Sequence, residues 1–118
     1  MLVLLADDQA KVRSALRLLL EQEADIEILG EAVDTTGLLD WAKASCPDVV
    51  LLDWELPGLP ASEVLGLLRL RRPGLRVIAL SGRPTTRQDA LAAGADAFVS
   101  KGEPSECLLK ALGAIRRG

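Results

Sequence analysis

Two apolar patterns alternate along the chain. Leu2-Val3-Leu4-Leu5-Ala6, Val49-Val50-Leu51-Leu52 and Val77-Ile78-Ala79-Leu80 are unbroken apolar runs. A strand with one wet face alternates polar and apolar residues, so these runs predict strands covered on both faces. From Ala10 to Leu20 the period changes, and Val12, Ala15, Leu16 and Leu19 share one side at helical spacing. Ile26 to Val33 predicts a second strand, weakened in its middle by Gly30. A helix carrying Leu38, Leu39 and Ala42 follows, with Thr35 or Thr36 as its cap, and it stops before Pro47 because the residue ahead of a proline avoids helical angles. Beyond Gly58, Pro60 suits the first turn of a third helix on Val64, Leu65, Leu67 and Leu68. Arg69, Arg71 and Arg72 at its end read as a solvated terminus favoured by the helix dipole. Thr85 to Ala93 predicts a helix with few large apolar anchors, stopped at Gly94. Ala95 to Ser100 is a short fifth strand, and Pro104 to about Arg117 a last helix bearing Leu108, Leu109, Leu112 and Ile115.

Five strand-helix units imply right-handed crossovers and an α/β fold, a doubly wound parallel sheet with helices on both faces. Residues 1–118 read as a single domain. In the common strand order 2-1-3-4-5 the first and third strands are neighbours, and ligands bind beyond the carboxyl ends of such strands. Those two strands finish in Asp7-Asp8 and Asp53. The three acids then converge, and like charges held close repel unless a cation enters or a proton is taken up. Mg2+ is the best candidate, since it binds through one or two carboxylates and leaves room for a phosphate. The plainer readings are that Asp53 opens the Pro57-Gly58 turn and that Asp7 or Asp8 caps the first helix.

Composition narrows the picture. Apolar residues make up 49% and aromatics 3%, so the core is aliphatic and a base-stacking or sugar-binding surface is disfavoured. With 14 basic and 17 acidic residues the net charge is -3, a poor basis for nucleic-acid binding. There is no histidine, and Cys46 and Cys107 lack metal-ligand spacing. Both read as reduced packing residues of a cytoplasmic protein. No apolar stretch reaches membrane-spanning length and the first strand begins at residue 2, so neither signal peptide nor anchor is expected.

Asp7-Asp8 after the first strand, Asp53 after the third, Ser81 after the fourth, Phe98 within the fifth and Lys101 after it form an ordered set. Over essentially its whole length the chain resembles the receiver domain of two-component response regulators, a flavodoxin-like (βα)5 fold. The resemblance implies that Asp53 is the phosphoacceptor, taking a phosphoryl group from a sensor histidine kinase. It implies Mg2+ held by Asp8, Asp53 and the backbone carbonyl of Glu55, with Asp7 acting mainly through water. Lys101 would pair with a phosphoryl oxygen; the Ser81 hydroxyl would move inward on phosphorylation and Phe98 would follow it. The product is a signalling switch rather than an enzyme, one that assists only its own phosphotransfer and dephosphorylation, forms a homodimer when phosphorylated and has no membrane partner. Glu55 and Arg83 are expected to influence the lifetime of the phosphoryl group.

Leu29-Gly30-Glu31-Ala32 and Lys101-Gly102 look like the NarL/FixJ-type subfamily, with its LuxR-like output. Such receivers usually precede a helix-turn-helix domain and control transcription through it; none lies within these residues, so the chain reads as a piece of a longer regulator or as a single-domain receiver. Gly102 stands where many receivers have proline, so no cis peptide is expected, and Pro60-Ala61 replaces a common Asp-Gly. Three rivals are weaker. A haloacid-dehalogenase-like phosphohydrolase normally needs a second Asp where Glu55 stands, and an FMN carrier needs hydroxyls and N–H groups where Asp7-Asp8-Gln9 is acidic. An unphosphorylated pseudo-receiver is disfavoured because the carboxylates, hydroxyl and lysine are all in place.

Overall fold

A computed structural model describes residues 1–118. The elements are β1 (Leu2–Ala6), α1 (Ala10–Glu21), β2 (Glu27–Ala32), α2 (Thr35–Ala44), β3 (Val49–Asp53), α3 (Ala61–Arg71), β4 (Arg76–Ser81), α4 (Arg87–Ala92), β5 (Ala97–Ser100) and α5 (Ser105–Arg117). The five strands form one parallel sheet in the order β2-β1-β3-β4-β5, the expected doubly wound arrangement. β3 is central and buried from Val49 to Asp53.

Successive residues of a strand point to opposite faces, and both faces here are apolar. Leu4, Val50, Leu52, Val77 and Ala79 pack with Leu38 of α2, Val64, Leu65 and Leu68 of α3 and Ala90 of α4. Val3, Leu5, Val49, Leu51, Ile78 and Leu80 pack on the other side with Leu20 of α1 and Leu108 and Leu112 of α5. Two covered faces are why these strands carry no polar alternation. No helix is long and apolar enough to cross a membrane.

Several local expectations need correction. The cap of α2 is Asp34, whose carboxylate accepts from the Gly37 N–H at 2.7 Å. Thr35 instead lies inside the helix, buried, and its hydroxyl accepts from Leu59 N–H. α1 is entered through Gln9 with no side-chain cap, so neither Asp7 nor Asp8 is spent on that helix. Pro60 and Pro104 precede α3 and α5 rather than opening them. The arginines ending α3 are not simply solvated: Arg69 reaches Leu75 O and Asp96, and Arg72 donates to Pro47 O. Leu67 is 40% exposed, Cys46 is exposed rather than packed, and Cys107 is half-buried against the core. The segment expected as one helix from Thr85 splits into a 3-10 turn, Pro84–Thr86, and the short α4, in which only Ala90 is buried. There are no cis peptide bonds.

Gly30 matters for a reason other than weakness. A Cβ there would sit 2.4 Å from the Trp41 indole, so the missing side chain lets the ring of α2 lie flat on β2. The pairing with β1 also skips at this point, between Val3 and Leu4. Gly30→Ala is expected to push the half-exposed indole toward water. In a Trp54→Phe background Trp41 emission should shift to the red, and thermal or urea unfolding should show a loss of about 1 to 2 kcal/mol.

Candidate functional site

The register of the sheet assembles the site. Ala6 pairs with Leu52, so the next residues of β1 and β3, Asp7 and Asp53, fall on adjacent strand ends. Asp53 pairs with Leu80 and Ser81 with Ser100, which places Lys101 one residue further along the same rim. Asp7, Asp8 and Asp53 each offer an oxygen, and these atoms lie within 4.8 Å of one another. Asp7 and Asp53 are buried and Asp8 is exposed.

Lys101 reaches between the acids. Its Nζ is 2.7 Å from Asp7 Oδ2 and 3.5 Å from Asp53 Oδ1, and 3.4 Å from Gln9 Oε1. The Asp7 contact has the distance of an ion pair, but its direction is poor, and Oδ2 has no hydrogen bond although it is fully buried. Asp7 Oδ1 accepts from Gln9 N–H, and Asp53 Oδ1 from Glu55 N–H at 3.0 Å. Burial pushes the Asp53 carboxyl up from its ordinary range; the Asp7 charge adds to this, while the Glu55 N–H and the Lys101 ammonium oppose it. Burial alone would lower the Lys101 ammonium, but Asp7 and Asp53 outweigh it and hold the proton on more tightly than usual.

Three carboxylates face one ammonium, so two negative charges are left uncompensated. An all-oxygen donor set with this surplus of negative charge suits a hard divalent cation such as Mg2+.

The loop after Asp53 is held by α2. Thr35 N–H donates to Pro57 O, and Thr35 Oγ1 accepts from Leu59 N–H. Gly58, with φ +119°, passes so close that a Cβ would meet Thr35 Oγ1 at 2.1 Å. These contacts tie residues 57–59 to α2, while the Glu55 N–H is bonded to Asp53 Oδ1.

The response regulator receiver domain family matches residues 3–113. The chain belongs to that family. This receiver is 32% identical over 118 residues to the transcriptional regulatory protein DesR of Bacillus subtilis (strain 168), covering 98% of the chain and 58% of DesR. It is 33% identical over 112 residues to the nitrate/nitrite response regulator protein NarL of Escherichia coli (strain K12), covering 93% and 52%. It therefore spans little more than half the length of these relatives, which are named as regulators rather than enzymes. The isolated receiver of RcsB from Salmonella enterica serovar Typhimurium, solved with the phosphomimetic BeF3-, superposes with a TM-score of 0.92 at 27% identity, over 100% of this chain and 89% of that one.

Within the receiver, Ser81 and Phe98 take positions the sequence did not specify. The Ser81 hydroxyl lies 2.9 and 2.8 Å from the two Glu55 carboxylate oxygens and accepts from Arg83 N–H at 2.9 Å. The acceptors within its reach are the Glu55 carboxylate and, at 3.3 Å, the Arg83 carbonyl. Phe98 is buried, with the Arg87 guanidinium 5.7 Å from its ring centroid, a cation-π distance. Glu55 was expected to influence the lifetime of the phosphoryl group, but its contact with Ser81 was not foreseen. A carboxylate two residues past one strand end, facing a serine at the next, was the signal available.

Proposed function

We propose that this chain accepts a phosphoryl group on Asp53, with Mg2+ bound, from a sensor histidine kinase and switches conformation to control an output. One observation carries the reading: a buried carboxylate, Asp53, shares a pocket with two further acids and one ammonium. Asp53 is the nucleophile; one of its oxygens forms a bond to phosphorus. The bond from phosphorus to the donor's leaving atom breaks, and its electron pair departs with the donor. Mg2+, held by Asp8, Asp53 and the Glu55 carbonyl with Asp7 behind water, would offset the repulsion between anionic nucleophile and anionic donor. Lys101 pairs with a phosphoryl oxygen once Asp53 is modified. The DesR name, a transcriptional regulatory protein, supports transcription control as the output; the reading extends this to a DNA-binding domain outside these residues, a cytoplasmic location and a homodimer as the phosphorylated form.

The reading is tested with acetyl phosphate and Mg2+, followed by intact-mass spectrometry. A single stable phosphoryl adduct that needs Mg2+ is expected. Steady release of phosphate from organic esters would make the chain a phosphohydrolase; no reaction would make it a pseudo-receiver. The hydrolase is opposed by Glu55, whose carboxylate is engaged by Ser81 rather than free for acid-base work.

The same contact yields a prediction about the switch. To serve a phosphoryl oxygen, Ser81 must first leave Glu55. Glu55→Ala removes that competitor and is expected to tighten beryllofluoride binding about fivefold, the scale of one net hydrogen bond. In a Ser81→Ala background the effect of Glu55→Ala should disappear, as read by titrating Trp54 emission.

A further inference from the structure

The hydrogen bonds around the Asp7-Asp8 pair point to a residue outside the pocket. Asp7 N–H donates to Ala32 O of β2 at 3.0 Å, which ties the entrance of the loop to the sheet. The Asp7 carbonyl accepts from Arg13 Nη1 of α1 at 2.9 Å. That carbonyl belongs to the peptide unit joining Asp7 to Asp8, so its direction sets where the Asp8 carboxylate can point. Asp8 itself is exposed, and its side chain makes neither hydrogen bond nor ion pair. Two bonds hold the peptides on either side of it: Arg13 on the Asp7 carbonyl and the Gln9 N–H on Asp7 Oδ1.

Arg13 is in turn held rigidly. Its Nε donates to Glu31 Oε1 at 2.8 Å, and Arg17 takes the other oxygen of Glu31 at 2.6 Å. Arg17, then Arg13, hold the Glu31 carboxyl below its ordinary range against the desolvation that would raise it. The Arg13 side chain is 17% exposed, so its fork is substantially shielded from water. Arg17 shares Glu31 but makes no contact with the acid loop. One arginine touches the site and its neighbour does not.

We infer that Arg13 is a positioning residue for the divalent-cation site: by fixing the Asp7-Asp8 peptide it sets the aim of Asp8 and thereby the affinity for Mg2+. The inference rests on the metal site proposed above. Groups that orient metal ligands typically change affinity tenfold to a hundredfold when removed. Arg13→Ala therefore weakens Mg2+ by about tenfold or more. Arg13→Lys gives a smaller loss, because an ammonium cannot serve Glu31 and the carbonyl with a fork. Arg17→Ala disturbs the same ion-pair cluster and leaves Mg2+ affinity within about twofold.

The experiment is isothermal titration of Mg2+ into the whole chain and each variant, with thermal unfolding of the metal-free proteins alongside. A fall in affinity for Arg13→Ala and Arg13→Lys, with Arg17→Ala close to the unsubstituted protein, is the expected result. Equal affinities in all four proteins overturn the positioning role while leaving the metal site standing. Equal weakening in Arg13→Ala and Arg17→Ala also overturns it, since that is what general loosening of α1 against β2 would produce. Should Arg13→Ala not fold, Arg13→Lys against Arg17→Ala decides. No Mg2+ uptake by the unsubstituted chain removes the site and this inference together.

Discussion

Asp53→Asn is expected to end phosphorylation outright and to leave a more stable protein at neutral pH. The amide keeps the shape of the side chain but offers no anionic oxygen to attack phosphorus and a poorer ligand to a hard cation. No adduct should form with acetyl phosphate and Mg2+. In a Trp41→Phe background the response of Trp54 emission to beryllofluoride should vanish, since Trp54 directly follows Asp53 and is partly buried against the core. An adduct persisting in the variant would move the acceptor to Asp7 or Asp8 and sink the assignment.

The stability half of this prediction follows from the sign of the Asp53 shift. Its carboxyl titrates above the ordinary value of 3.8 because of burial and then the Asp7 charge. A group whose folded pKa is raised binds its proton more tightly when folded, so its contribution is intact below the ordinary value. Stability is lost as pH climbs through the raised value. At pH 7 the ionised Asp53 therefore costs stability, and asparagine removes that cost. Lys101 is not stranded, because Asp7 remains at 2.7 Å. A gain of order 1 kcal/mol at pH 7, shrinking toward zero on acidification, is expected from urea unfolding at several pH values. Saturating Mg2+ should narrow the gap, because an ion at a hundred times its Kd stabilises the unsubstituted chain by about 2.7 kcal/mol.

The parts legible in the sequence were those written in single stretches of chain. Unbroken apolar runs identified β1, β3 and β4, and the alternation of strands with helices pointed to the common doubly wound order in which β1 and β3 are neighbours. That order suggests Asp8 beside Asp53, whereas the register places Asp7 there. The acids and Lys101 were readable because each stands at the end of its strand or within two residues of it, where the sheet itself determines position. What escaped depends on where a long side chain goes after folding. Glu55 and Ser81 are 26 residues apart, and Arg13 and Glu31 are 18 apart. No local pattern says which of many charges each will meet. Gly30 read as a flaw in a strand because the Trp41 ring that needs the space comes from another element. Asp34 was a different kind of miss: aspartate is a stronger cap than threonine, and its place just before Thr35 already favoured it.

Lys101→Met is expected to be the most destabilising single change at the site. Methionine keeps the apolar stem and removes the ammonium, leaving Asp7 and Asp53 buried with no cation between them. Removing one partner of a buried pair costs about 3 to 5 kcal/mol. Lys101 keeps 20% exposure, so the loss here is put at about 2 to 3 kcal/mol, or roughly 10 °C in Tm. The raised Lys101 pKa means that its stabilisation is fully present below the ordinary value of 10.5 and fades only as pH rises through the folded value. The whole deficit is thus expressed at pH 7. It should shrink as acid neutralises Asp53, and it should shrink in Mg2+, which supplies the missing positive charge. Asp53→Asn combined with Lys101→Met should recover much of the lost stability without recovering phosphorylation, because the double substitution removes both the stranded charge and the nucleophile. A deficit that ignored pH, Mg2+ and Asp53→Asn alike would mean that Lys101 supports the fold through its stem alone. The crowding of acids would then not be the governing force at this edge of the sheet.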